Sequence, residues 1–194
     1  MFTVPVNLSH RHIHLTDDDV SQLFGPGYTL NKKVVLLQPG AFAAEEQVSI
    51  GGPTGTIDKV RVVGPTRSAT QCEILVGDTY TLGCKPTDVP VRLSGDITGS
   101  KAFSITGPAG SIEKDEGLII AKRHIHINPQ EAAEHHLHDG QSVTLQLKTD
   151  KGQIDYHDTI IRIQPEATLE CHIDIEEGNA AMISNGYKAT IKNS

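Results

Sequence analysis

The chain has no tryptophan, only 4% aromatic residues, and three cysteines without a CxxC spacing among its 194 residues. An odd cysteine count with no paired spacing excludes a disulfide framework and a thiolate zinc knuckle, and it fits a reducing compartment. No basic run is present and the formal net charge is -7, which argues against nucleic acid as a partner because nothing displaces counterions from a phosphate backbone. No stretch reaches the about 18 apolar residues that would span a bilayer, so no membrane contact is expected. Met1-Phe2-Thr3-Val4-Pro5 lacks the charged-then-apolar pattern of a secretory leader, giving an intracellular reading. With aromatics scarce, 18 glycines and 10 prolines favour many short strands joined by turns over long helices.

Ten histidines stand out against this background. Four of them lie in a repeat, Arg11-His12-Ile13-His14 and Arg123-His124-Ile125-His126, whose copies share a local context. The first is followed by Thr16 as an N-cap with Asp17, Asp18 and Asp19 in the first helical turn; the second by Asn128, Pro129 and Glu131. Each copy therefore reads as strand, then short helix. The helices are expected to end near Gly25 and Gly140, with strands following at Val34 to Leu37 and Ser142 to Leu147. A shorter echo, Gly52-Pro53-Thr54-Gly55 and Gly107-Pro108-Ala109-Gly110, reads as repeated hairpin turns. Lys85 to Ser100 reads as an ordered loop region, and the boundary between two related β-rich units falls near Gly117 to Ala121.

Side chains alternate faces along a strand, so His12 and His14 point the same way while Ile13 faces the core, and likewise His124, His126 and Ile125. One HxH pair is ordinarily two surface imidazoles. Two copies in matching contexts favour metal, because duplication lets four imidazoles converge. His10 has no counterpart and is left outside the site; His135, His136 and His138 lie beyond the second helix and are expected in solvent. His172 and Glu73 supply the further ligands that two open metal sites need, although each alone reads as structural.

At these residues the sequence resembles the phosphate propanoyltransferases of the propanediol-utilisation type, the phosphotransacylases associated with bacterial microcompartments. The likeness runs through Ser9-His10-Arg11-His12-Ile13-His14-Leu15, Phe24-Gly25-Pro26-Gly27-Tyr28, Gln38-Pro39-Gly40-Ala41-Phe42-Ala43, Val63-Gly64-Pro65-Thr66-Arg67, Thr70-Gln71-Cys72-Glu73, Ser94-Gly95-Asp96, Arg123-His124-Ile125-His126 and His172-Ile173-Asp174. It implies a mainly β fold of two related β-barrel domains, each capped by a short helix. The first would span residues 11–121; the second, residues 122–194, would be completed by the N-terminal strand 1–10. The resemblance also implies a di-zinc site between the barrels, with two Zn2+ per chain held by His12, His14, Glu73, His124, His126 and His172. Arg67 takes the place of the phosphate-handling arginine, and Ser9, Arg61, Gln71, Ser94 and Asn179 match positions lining the coenzyme and phosphate pockets. Partners implied are acyl-coenzyme A, phosphate, acyl phosphate and a second copy in a homodimer. Many members carry an N-terminal extension for the microcompartment lumen; here the strand begins almost at Met1, which gives the expectation of a cytoplasmic form.

The implied reaction exchanges an acyl group between coenzyme A and inorganic phosphate. Arg67, otherwise an ordinary surface ion-pair former, would grip phosphate or the oxyanion with its planar fork. Cys171 and Cys72 would face away from the ligands, where an apolar setting keeps thiols inert, and Cys84 reads as a loop thiol without a neighbouring base, so direct attack by phosphate is expected rather than an acyl-cysteine. Two other readings stand beside this one: a single-metal β-barrel oxygenase built on His12, His14 and Glu73, and a non-catalytic metal-binding module.

Overall fold

The structure is a computed structural model and describes residues 2–193. It divides into two compact units, residues 11–121 and residues 1–10 with 122–194. The first contains β2 (His12–His14), α1 (Asp17–Phe24), β3 (Lys32–Val35), β4 (Phe42–Gly51), β5 (Thr56–Gly64), β6 (Gln71–Ile74), α2 (Val76–Leu82), β7 (Val91–Arg92), β8 (Lys101–Thr106) and β9 (Ser111–Ala121). The second contains β1 (Phe2–Ser9), β10 (His124–Ile127), α3 (Pro129–Glu134), β11 (Ser142–Thr149), β12 (Gly152–Ile163), β13 (Glu170–Asp174), α4 (Ile175–Ala181) and β14 (Lys188–Asn193).

Each unit closes a ring of strands. In the second the order is β1-β13-β10-β12-β11-β14. In the first, β4-β5-β2-β6-β9 closes through β8, which pairs with both β9 and β4, leaving β3 and β7 as appendages. The two rings repeat one wiring. The HxH strand runs parallel to one neighbour (β5 or β12) and antiparallel to the other (β6 or β13). The strand leading into each HxH segment belongs to the other ring: β1 precedes β2 yet pairs with β13 and β14, whereas β9 precedes β10 yet pairs with β6 and β8.

Period-two alternation builds both cores. Val4, Val6 and Leu8 of β1 are buried with Ile125, Ile161, Cys171 and Ile191. Ile13, Val60, Val62, Cys72 and Leu118 do the same in the other unit. The helices start where the short polar side chains said they would: Thr16 Oγ1 accepts from the Asp19 amide at 3.1 Å, and Asn128 Oδ1 from the Glu131 amide at 2.9 Å. Val20 and Leu23 anchor α1 in the core.

Two local expectations are corrected. α3 stops at Glu134, well short of Gly140, because His136 takes a left-handed φ of 54° and turns buried Leu137 back onto the core. β3 lies two residues earlier than expected: it ends at Val35, where the chain enters a turn closed by the Leu36 amide on the Ala41 carbonyl at 3.0 Å and the Ala41 amide on the Gln38 carbonyl at 3.1 Å. The Gly-Pro echo forms two hairpin turns, as expected, both in the first unit and each docked on a helix end. The Thr54 amide donates to the Leu82 carbonyl of α2 and the Ala109 amide to the Leu23 carbonyl of α1. A Cβ at Gly55 would stand 1.8 Å from the Thr81 oxygen and one at Gly107 2.5 Å from the Leu23 oxygen, which is why glycine sits there.

Candidate metal centre

Two antiparallel strand pairs deliver the donors. On β2 and β6, His12 lies opposite Glu73 and His14 opposite Gln71; on β10 and β13, His124 lies opposite His172 and His126 opposite Glu170. Ile13 and Ile125, between the histidines, are fully buried on the other face against Cys72 and Cys171. The result is one triad in each unit, His12, His14 and Glu73 in the first and His124, His126 and His172 in the second, with donor atoms of each within 4.8 Å of one another.

The outer ring nitrogens are already occupied. His14 Nδ1–H donates to the Val63 carbonyl at 2.9 Å, His124 Nδ1–H to the Lys122 carbonyl at 2.9 Å, and His126 Nδ1–H to Gln164 Oε1 at 2.7 Å. Such outer partners fix the tautomer of metal-binding imidazoles and leave Nε2 as a bare lone pair. Burial, then the neighbouring His12 and the Arg67 guanidinium, lower His14 to a pKa of about 3. Burial, then His172 and His126, lower His124 to about 3, and burial with His172 lowers His126 to about 4. These rings are neutral at physiological pH.

A neutral pair raises a difficulty that a cation resolves. His124 Nε2 and His126 Nε2 face each other at 3.1 Å, and with both Nδ1 protons committed elsewhere neither ring has a proton to place between them. Two lone pairs aimed at one point are a ligand geometry. Three imidazoles, or two imidazoles and a carboxylate, are donor sets that hold zinc with a position left open. The residues therefore fit the metal that the resemblance implies.

Around the first triad, Gln71 Nε2 donates to Glu73 Oε1 at 2.7 Å and to Ser94 Oγ at 3.0 Å, while Gln71 Oε1 accepts from the Gly95 amide at 2.6 Å. Arg67 is exposed in the loop after the cis Gly64-Pro65 bond. Its amide donates to the Leu15 carbonyl at 2.9 Å, and its Nη1 donates to Ser94 Oγ at 3.0 Å. His12, His14, Glu73, Gln71, Ser94 and Arg67 thus form one linked group. Arg61 pairs in register with His12 but turns its Nη1 to the carbonyls of Ala44 and Glu45 at 2.9 and 2.8 Å, away from that chain of bonds. In the other unit Ser9 ends β1, its Oγ donating to the Ile173 carbonyl at 3.4 Å, and Asn179 is exposed on α4.

Glu170 has no counterpart among the expected residues. It is 4% exposed, and its Oε2 accepts from His172 Nε2 at 2.7 Å. It is the positional equivalent of Gln71: each lies two residues before the third donor and opposite the second histidine of the HxH pair. Strand alternation puts Glu170 on the face of His172, but only the pairing of β13 with β10 sets it opposite His126. Among the other histidines, His10, His136 and His138 are exposed and the His135 ring stacks on Phe2 at 4.0 Å. Cys72 and Cys171 are fully buried, and burial pushes both thiols well up; Cys84, just past α2, is buried too.

No helix among the described residues is long and apolar enough to cross a membrane. The chain matches the family described as phosphate propanoyltransferase over residues 5–184. Phosphate propanoyltransferases from Priestia megaterium, Lachnoclostridium phytofermentans and Rhodopseudomonas palustris are 49%, 46% and 44% identical to it. Those alignments cover 95%, 98% and 95% of this chain and 83%, 87% and 80% of the relatives, in the same order.

Proposed function

Because the chain belongs to the phosphate propanoyltransferase family, a family of acyltransferases, we propose that it exchanges a short acyl group such as propanoyl or acetyl between coenzyme A and inorganic phosphate, with one zinc ion in each histidine triad. The observation that carries the metal part is the His124–His126 pair, whose Nε2 atoms converge at 3.1 Å with no proton to share. When bound, zinc in these donor sets supplies Lewis-acid charge for a phosphate or carbonyl oxygen.

The chain's own side chains account for the rest. Arg67 is exposed on its loop, where an anion can approach it, and Ser94 Oγ holds its Nη1. A planar guanidinium grips phosphate through two parallel bonds and stabilises the oxyanion that forms when a phosphate oxygen adds to the thioester carbonyl. Collapse of that adduct breaks the carbon–sulfur bond, leaving acyl phosphate and the coenzyme A thiolate. Gln71 holds Glu73 and Ser94 together, so the donor carboxylate and the arginine are set by one amide. The buried, high-pKa thiols of Cys72 and Cys171 favour direct attack over an acyl-cysteine.

The experiment is elemental analysis of the purified chain joined to an assay of acyl-coenzyme A with phosphate. About two zinc ions per chain are expected, by analogy with two-metal sites, and their removal by a chelator should abolish turnover. A single iron per chain without zinc would instead favour the oxygenase reading of His12, His14 and Glu73.

A further inference from the structure

Neither arginine that opens the repeated tetrapeptides is in a donor triad, yet each pairs with the carboxylate on the third residue of the helix that follows the third donor. Arg11 Nε donates to Asp78 Oδ2 at 2.8 Å and its Nη2 lies 2.6 Å from Oδ1, a two-pronged pair. Asp78 is the third residue of α2, is 5% exposed, and accepts the Leu75 amide at 3.0 Å. In the other unit Arg123 Nη1 donates to Glu177 Oε1 at 2.5 Å. Glu177 is the third residue of α4 and accepts the Asp174 amide through Oε2 at 3.0 Å. Arg123 is further fixed by the His157 carbonyl at 2.9 Å and by the Tyr156 ring beneath its guanidinium.

The spacing ties both contacts to the triads. Asp78 follows Glu73, and Glu177 follows His172, by the same interval, because each helix starts as soon as the strand bearing the third donor ends. Each HxH strand meets that strand over only three paired positions. The third donor sits at the end of that short ladder, opposite the first histidine, while the other edge of its strand is held by β9 or β1. Donor atoms must be held within about 0.5 Å for a working site. An arginine one residue beyond the ladder adds a charged restraint on the side of the HxH strand, where the pairing has ended.

We propose that Arg11 and Arg123 are positioning residues, each clamping the helix after the third-donor strand to its HxH strand and so fixing Glu73 or His172 for metal. The inference rests on the metal reading of the two triads.

The test uses the full chain with one triad disabled, His124→Ala with His126→Ala to isolate the first and His12→Ala with His14→Ala to isolate the second. Cobalt(II) is titrated against a competing chelator while its d–d absorption is recorded. Arg11→Gln is expected to weaken cobalt binding by the first triad and Arg123→Gln by the second, each roughly 10- to 100-fold, the scale for outer-shell partners of metal ligands. The d–d bands should shift, and Lys at either position should restore only part of the affinity, because a point charge does not reproduce the fork. If Arg123→Gln does not fold, Glu177→Gln presents the same fork with an amide and serves in its place. A variant that loses apo-protein stability while its cobalt affinity and spectrum stay those of the parent overturns the proposal. A parent chain that takes up no cobalt overturns the metal reading and the clamp together.

Discussion

The Arg67 guanidinium reaches Ser94 Oγ at 3.0 Å from an exposed loop, and Arg67 belongs to neither donor triad. Arg67→Ala is therefore expected to keep fold and metal content while lowering turnover by roughly a hundredfold, the scale for one oxyanion donor. Steady-state rates with metal analysis on the same samples check it, and unchanged turnover would return Arg67 to a surface role. Glu46 carries a different prediction. Burial alone would raise its carboxyl, but hydrogen bonds from the Asn31 side chain and Tyr28 at 2.8 Å each, with the Asn31 amide at 3.1 Å, outweigh it and hold it below the usual carboxylate range. A depressed carboxyl adds stability above its unfolded pKa and loses it as pH falls through the folded value. The gap in unfolding free energy between the parent and Glu46→Gln should thus be widest at neutral pH and narrow on acidification below the usual carboxylate pKa, as read by urea titrations at successive pH. The duplicated HxH pairs could be named from sequence because alternation along a strand is local. Glu170 could not, because its meaning depends on β13 lying antiparallel to β10 in one register.

At the level of elements, caps and turns have separable energies. Thr16→Ala removes the acceptor of the Asp19 amide and should cost about 1 kcal/mol in denaturant titrations. Gly107→Ala places a methyl 2.5 Å from the Leu23 carbonyl oxygen, so turn and helix must part at a cost of about 1–3 kcal/mol. Gly110, whose nearest such neighbour is the Gln22 oxygen at 3.1 Å, should tolerate alanine better. These elements also mark where sequence reading stops. Thr16 and Asn128 announce helix starts because the capping bond lies within three residues. Gly140 misplaces the end of α3 because that end is set by Leu137 finding the core, a tertiary requirement. The matching Gly-Pro turns were legible as hairpins, but their docking was not: each brings a backbone amide close enough to cap a helix carbonyl.

For the whole molecule, the crossed lead-in strands decide which fragments hold together. Residues 11–121 carry every strand of their ring, so this fragment is expected to unfold cooperatively by itself. Residues 122–194 lack β1, which leaves the edges of β13 and β14 bare and prone to aggregate. Adding a peptide of residues 1–10 should restore a sharp transition to that fragment, and an unchanged melting profile would contradict the pairing. The same pairing has a consequence for chain order. In the first ring β8 turns back as β9 through Gly107 to Gly110, Thr106 lying opposite Ser111. In the second, β14 lies antiparallel to β1 with Ile191 opposite Phe2, which is that hairpin without its turn. The wiring is therefore cyclic. A circular permutant that joins residue 194 to residue 1 through a short loop and opens between Ala121 and Lys122 would make each ring contiguous in sequence.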